Sequence, residues 1–481
     1  MIAALAGVLA YFALALLGIV SARGRETAVL AVFAGLASLA LWLPGFPEGF
    51  VGGLPWGIAV AGDLWALAFW SLALFLHAAV ILHAWSKDSL RHALITLLVA
   101  TCLAGSISRD LFNLYVVLEL SSLLSVILIA KEGRSAALWA ALRYILLAGL
   151  GMIFYLFGLG LVYGRTGALA ITALSQTEVW DKPLRIGAGL LLAGATVKTG
   201  VFLFGLWLPQ AHGHAPTEVS VLLSGLVVKL GVLALARLAE AFPLEPVLLA
   251  LGLLTGFGGV LYALGEKDLK IMLGHHTVSQ IGYMLLGLGL SAELGALLYL
   301  VAHGLFKGLL FLCAGEAVEA GATRSIPELV GKVPWPAALG LAVGSWAIVG
   351  LPPLAGFVAK NYLSLAQPIW AKAFLFLLSV GTAASFAKLL TLFRGQGGGK
   401  FGGIMLLAMG VIALGLWGIL HNPAVLALQA WVEAVLAVGL GFLTYLLVRE
   451  KRLPLPQFFL EHALLSVLLA TVALSTILLI A

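Results

Sequence analysis

The sequence predicts an all-α, polytopic membrane protein that crosses the bilayer about fourteen to sixteen times. Three observations predict it. Of 481 residues, 62% are hydrophobic and only 10% are charged. Mean hydropathy is +1.12. Apolar runs of spanning length also follow one another through the whole chain with short loops between them. Soluble globular domains do not have that balance, and no soluble domain of useful size fits between the runs.

A spanning helix needs roughly 20 mainly apolar residues. By that measure helices begin near Ile2, Glu26, Asp63, Ser89, Asp110, Ala136, Arg185, Thr217, Leu244, Asp268, Leu294, Pro336, Gln367, Gly402, Ala424 and Phe458. The first run, MIAALAGVLAYFALALLGIV, has no basic residue ahead of it and is long enough to span, so it reads as a helix and not a cleavable signal. The longest loop, around 164–182, holds an amphipathic patch suited to the membrane surface. The stretches Lys198–Pro209 and Val349–Lys360 carry internal Gly and Pro. Each is either a simple kink or a true break, and a break survives in a membrane only where freed backbone groups meet protein or water. WLPQAHGHAPTEVS, after Lys198, reads as a loop, with Thr217 as the N-cap of the next helix. That loop is a plain turn or a proton-collecting surface.

Lys and Arg set the expected orientation. Loops after odd-numbered helices carry Arg23/Arg25, Lys87/Arg91, Lys131/Arg134, Lys267/Lys270, Arg324/Lys332, Arg394/Lys400 and Arg449/Lys451/Arg452. Even-numbered loops carry fewer: Arg109, Arg165, Lys182, Arg185, Arg237 and Lys372. The odd loops should then be cytoplasmic, with both termini outside the cell's inner membrane.

Composition also excludes. The net charge of +6 is spread along the chain, so there is no nucleic-acid patch. Cys102 and Cys313 lie in apolar runs without a CxxC pair. There is no GxGxxG or P-loop sequence. No metal or cofactor is expected, and the chain does not read as a redox or nucleotide enzyme by itself.

The informative residues are charges inside the apolar runs. A charge at the bilayer centre costs roughly 3 kcal/mol on insertion scales. Burial disfavours the charged form of a lysine, so a buried lysine exchanges its proton readily. Lys198 stands at the first break; a snorkelling lysine is the alternative there. Lys229 has about ten mainly apolar residues on each side and is too deep to snorkel easily; a purely structural role is the alternative there. His303 and Lys307 are four apart and share a helix face, which suits a two-step proton relay or a histidine bonded to a neighbouring helix. His275 and His276 stand with Thr277, Ser279, Gln280 and Tyr283 in a hydrated patch or in interhelical hydrogen bonds. Glu119, followed by Ser121 and Ser122, needs a cation to stay ionised, and Arg143 or Lys198 could supply it. Such a pair is a switch or a static salt bridge. Lys360 sits at the second break. Lys388 lies near a basic end and reads as snorkelling.

The run KTGVFLFGLWLPQAHGHAPTEVSVLLSGLVVKLG resembles the signature of antiporter-like membrane subunits. These include the large subunits of Mrp-type cation/proton antiporters and the proton-pumping subunits of respiratory complex I and membrane-bound hydrogenases. DLKIMLGHHTVSQIGYMLLG, HGLFKGLLFLCAG and GLPPLAGFVAKNYL resemble further blocks of that family. The resemblance runs from about Asp63 to Arg394. It implies two inverted five-helix repeats, each with one broken helix, near 89–240 and 241–396. Residues 1–88 and 397–481 would be additional membrane helices, the last two beyond the common core. It implies that Glu119 and Lys198 are the ion pair, Lys229 the connecting lysine, His303 and Lys307 the central relay, and Lys360 the terminal lysine. Arg143, His275 and His276 would be auxiliary. A lysine at 360 resembles the Mrp D-type subunit, and His275–His276 departs from the Tyr–Ser usual in the complex I branch. The expected function is therefore a proton-translocating, D-type subunit of a Na⁺/proton antiporter. The alternative is a pumping subunit of a complex I-like NADH-quinone oxidoreductase or membrane-bound hydrogenase. The expected partners are other membrane subunits, protons, Na⁺ in the antiporter reading, and the bilayer.

Overall fold

The computed structural model describes residues 1–53, 57–178, 180–422, 425, 427–449, 455–456 and 459–480. The chain divides into two compact units. One comprises Met1–Trp207, Leu226–Val247 and Phe458–Ala481, the other Leu208–Gly225 and Leu248–Gln457.

The first unit opens with α1 (Ile2–Ser21) and α2 (Gly24–Trp42). A hairpin of β1 (Phe46–Val51) and β2 (Ile58–Gly62) follows, antiparallel, with an irregularity between Phe46 and Gly49. Then come α3 (Leu64–His83), α4 (Ser89–Ser106), α5 (Leu111–Ala130), α6 (Ser135–Thr166), the short α7 (Ile171–Ser175) and α8 (Lys182–Thr199). α8 is the core of this unit, packed along α6. Small residues allow the close approach: a Cβ at Gly194 would stand 2.6 Å from the Gly151 carbonyl oxygen, and one at Gly158 2.6 Å from that of Gly187.

In the second unit α9 (Leu208–His214) and α10 (Thr217–Leu222) lead into a π-helical turn at Leu223–Val227. The same helix continues as α11 (Val228–Ala241), which belongs to the first unit. α12 (Glu245–Gly265), α13 (Leu269–Gly289), α14 (Glu293–Gly321), α15 (Trp335–Val349), α16 (Ala355–Ser364), α17 (Ile369–Phe386), α18 (Gly402–His421) and α19 (Leu428–Val448) complete the second unit. α14 is its axis, touching α10, α13, α15, α16 and α18. The last helix, α20 (Leu460–Ile480), packs on α8 in the first unit.

Among the described residues thirteen helices are long and apolar enough to cross a membrane. α8, α13 and the interrupted α15/α16 answer the remaining predicted starts. The starting points Ala424 and Phe458, and the basic residues Lys451 and Arg452, lie outside the described residues. Five helix starts are capped by aspartates: Asp63, Asp88, Asp110, Asp181 and Asp268 each accept a backbone N–H of the first turn. A cap of this kind contributes about 1 kcal/mol.

Four local expectations change. The hairpin was not expected; the segment before α3 pairs with itself and continues onto Ser108. The amphipathic patch at 164–182 resolves into the end of α6, the short α7 and the start of α8. The His212–His214 segment is helix and not loop, because the chain resumes its helix after the break and Pro209 stands in the first turn, where no N–H is needed. Thr217 is the first helical residue, and Pro216 is the N-cap.

Candidate functional site

In the first unit the break after α8 presents Lys198. Gly200 adopts the left-handed conformation, φ 82°, and its N–H returns to the carbonyls of Thr196 and Val197. That turn ends the helix. The indole of Trp207 reaches back and donates to the Val197 carbonyl at 3.0 Å, sharing that acceptor with the Gly200 N–H. Trp207 also stacks face to face on Tyr144, with centroids 3.8 Å apart. Lys198 is 3% exposed. Its Nζ donates to Ser122 Oγ at 2.8 Å and lies 3.5 Å from Glu119 Oε2. The Tyr144 hydroxyl donates to the same Ser122 at 3.3 Å. The pair is asymmetric, because the Glu119 side chain is 37% exposed and so is not the buried carboxylate that the sequence suggests. Of the two candidate partners for Glu119, Lys198 forms the ion pair; Arg143 interacts electrostatically with Glu461 of α20. Lys229 is fully buried in α11, directly after the π-helical turn.

The second unit repeats the break. Gly350, φ 96°, ends α15, and its N–H returns to the carbonyls of Trp346 and Ala347. Here the lysine comes from the second half. Lys360 Nζ donates to the freed Val349 carbonyl at 2.8 Å and sits 5.2 Å from the Tyr283 ring centroid. Lys307, fully buried on α14, donates to the Leu273 carbonyl of α13 at 2.5 Å and lies 4.7 Å from the Phe311 ring. These contacts give a buried ammonium a dipole and a π-face. His303, one turn earlier and fully buried, packs edge-on against Phe306.

The polar residues of α13 form a ladder with α17. His276 Nε2 pairs with Ser385 Oγ at 2.7 Å, Gln280 donates to Thr382 at 3.4 Å, and Tyr283 pairs with Ser379 at 3.1 Å. Tyr299 of α14 donates to Gln280, and Tyr283 also engages Thr382. Lys307, Lys360 and Lys388 all act electrostatically on His276. His275 faces away and stacks on Tyr262 at 5.4 Å. Lys388 does not snorkel. It donates to the carbonyls of Ala263, Leu264 and Glu266, closing the C-terminal end of α12. The ladder can pass a proton along hydroxyl, amide and imidazole groups.

Sequence reasoning missed a charge network in the first unit. Arg237 and Arg109, which read in the sequence as loop charges, converge on three carboxylates. Arg237 is fully buried, with its guanidinium 2.6 Å from Asp63 and 2.7 Å from Glu240. Arg109 reaches Glu240 at 2.6 Å, Asp63 at 3.5 Å and Glu48 of the hairpin at 3.6 Å. Only Arg237 and Glu240, three apart on α11, are linked by a spacing rule; the other members are far apart in the chain.

A family profile described as NADH:quinone oxidoreductase/Mrp antiporter, transmembrane, matches residues 108–387. That interval holds every candidate site residue named from the sequence. The N subunit of the NADH-quinone oxidoreductase of Desulforudis audaxviator is 36% identical over 335 residues, 65% of this chain and 67% of that one. The D subunit of the Na⁺/H⁺ antiporter of Alkalihalophilus pseudofirmus is 31% identical over 337 residues, with the same coverage. A chain of the Mrp complex from Dietzia sp. DQ12-45-1b shares the fold with a TM-score of 0.76 at 23% identity, covering 96% of this chain and 99% of that one.

Proposed function

Because the chain belongs to the NADH:quinone oxidoreductase/Mrp antiporter transmembrane family, we propose that it is the proton-translocating, D-type membrane subunit of a multisubunit Na⁺/proton antiporter. Protons pass in the order Glu119/Lys198, Lys229, His303/Lys307, Lys360, and opening of the Glu119–Lys198 pair gates their entry. His276 joins the central relay to the terminal lysine; Arg143 and His275 are auxiliary. The observation that carries this reading is the α13–α17 ladder. Near one end stands Lys307, bonded to Leu273, and at the other stands Lys360, against Tyr283. An apolar core without transport would gain nothing from buried cations that cost roughly 3 kcal/mol each.

The subunit works with other membrane subunits in the cell's inner membrane, with both termini outside. Its core is two repeats, 89–240 and 241–396. Matching local geometry supports them: Leu111 N–H bonds to the Leu169 carbonyl and Leu269 N–H to that of Arg324, and each repeat then breaks at a left-handed glycine. A second reading, a pumping subunit of a respiratory complex, is favoured by the higher identity to the oxidoreductase relative. Copurification from native membranes separates the two, since a respiratory complex would bring redox-cofactor subunits with it.

The mechanism is tested in the assembled complex in membrane vesicles. Lys229→Ala and Lys360→Ala are each expected to abolish nearly all proton flux, read by a pH-sensitive dye, while assembly stays intact. Normal flux in both would overturn the mechanism.

A further inference from the structure

Lys360 opens onto a pocket that the ladder does not account for. Its cavity volume is about 70 Å³, and besides Lys360 and Tyr283 its polar wall includes Asn361, Ser364, Lys372, Ser379 and Glu433. A water needs about 10–15 Å³ of such volume, so a few waters fit. The wall runs about 10 Å along α17 at 1.5 Å per residue, from Lys372 in the first turn to Ser379, seven residues further on. Ser379 itself lies about 15 Å from the start of the helix. The hydrocarbon core is about 30 Å thick. α19 runs alongside α17 in the same direction: Gly441 packs on Ala383 and Val380, and Glu433 stands five residues from its start. The pocket therefore begins at mid-height beside Lys360 and opens where α16 ends and α17 and α19 begin.

We propose that this pocket is the water-filled exit for the proton that Lys360 carries, and that Glu433 is the carboxylate that receives it. The proposal rests on the reading of the chain as a proton carrier and adds a residue from a helix outside the matched family region, 108–387. The Lys360 ammonium gives a proton to pocket water, the Glu433 carboxylate takes it as a carboxylic acid, and the acid releases it to bulk solvent. The neutral lysine then takes the next proton from the ladder. Gln429 donates to Glu433 Oε1 at 2.8 Å and holds the carboxylate in place.

The test uses the assembled complex in vesicles. Glu433→Gln is expected to lower proton flux by about tenfold or more, as loss of a positioned proton acceptor does, and to change the pH dependence of what remains. Glu433→Asp is expected to restore most of the flux, which a merely structural role would not require. Ala434→Cys, on the pocket wall, should react with a charged, water-soluble thiol reagent, whereas Val435→Cys, on the exposed apolar side of α19, should not. Full flux and an unchanged pH profile in Glu433→Gln, or an unreactive thiol in Ala434→Cys, would overturn the exit while leaving the transport reading intact if Lys360→Ala still abolishes flux. Normal flux in both Lys360→Ala and Lys229→Ala would overturn the transport reading itself.

Discussion

Lys198 and Glu119 form one ion pair from two different environments. The ammonium is 2% exposed and held by Ser122, while the carboxylate is 37% exposed. The cation is thus enclosed and the anion is open to exchange, and in the proposed mechanism Glu119 is the half of the pair that opens. Glu119→Gln should act as a permanently protonated carboxylate and shift the pH dependence of proton flux in vesicles; an unchanged profile would count against the switch. The sequence made Lys198, Lys229, Lys307 and Lys360 legible because a charge in an apolar run is costly and visible. It did not show what each lysine binds. Leu273 and Val349 offer carbonyls, and a carbonyl carries no mark in a sequence. Trp207 and Tyr144 were missed because aromatic residues in an apolar chain look like ordinary core.

At the scale of elements, the breaks at Gly200 and Gly350 do the positioning. Each glycine holds a left-handed conformation that costs other residues roughly 1–2 kcal/mol. At Gly350 a methyl would also stand 3.0 Å from Lys360 Cδ and 3.3 Å from its Nζ. Gly350→Ala should therefore lower the thermal stability of the purified complex by about that amount and reduce flux as Lys360 is displaced. An unchanged melting temperature with full flux would refute this. The Gly and Pro content revealed both interruptions but not that α9 resumes as helix, because a seven-residue helix depends on the packing around it more than on its own propensity. The hairpin was illegible for the same reason: two short strands are stable only against neighbours.

For the molecule as a whole, the network of Arg109, Arg237, Glu48, Asp63 and Glu240 ties the hairpin, the start of α3, the α4–α5 connection and the end of α11 within the first unit. Arg237 is buried while its partners Asp63 and Glu240 are 31% and 33% exposed, so its removal costs packing and the fork but leaves carboxylates that water can reach. Arg237→Ala should lower the melting temperature of the purified complex well beyond any effect of Arg237→Lys, which keeps a charge but loses the fork. Equal melting temperatures for the two variants and the parent would show that the network contributes nothing. The sequence by itself determined the helical membrane fold, the two breaks and the identity of the cations, because apolar length, glycine and misplaced charge are local signals. Only the tertiary structure decided which carbonyl or hydroxyl each cation meets, that α13 and α17 share a polar ladder, and that Glu433 stands over the pocket of Lys360. Those are contacts between residues far apart in the chain, and helix packing, not local propensity, brings them together.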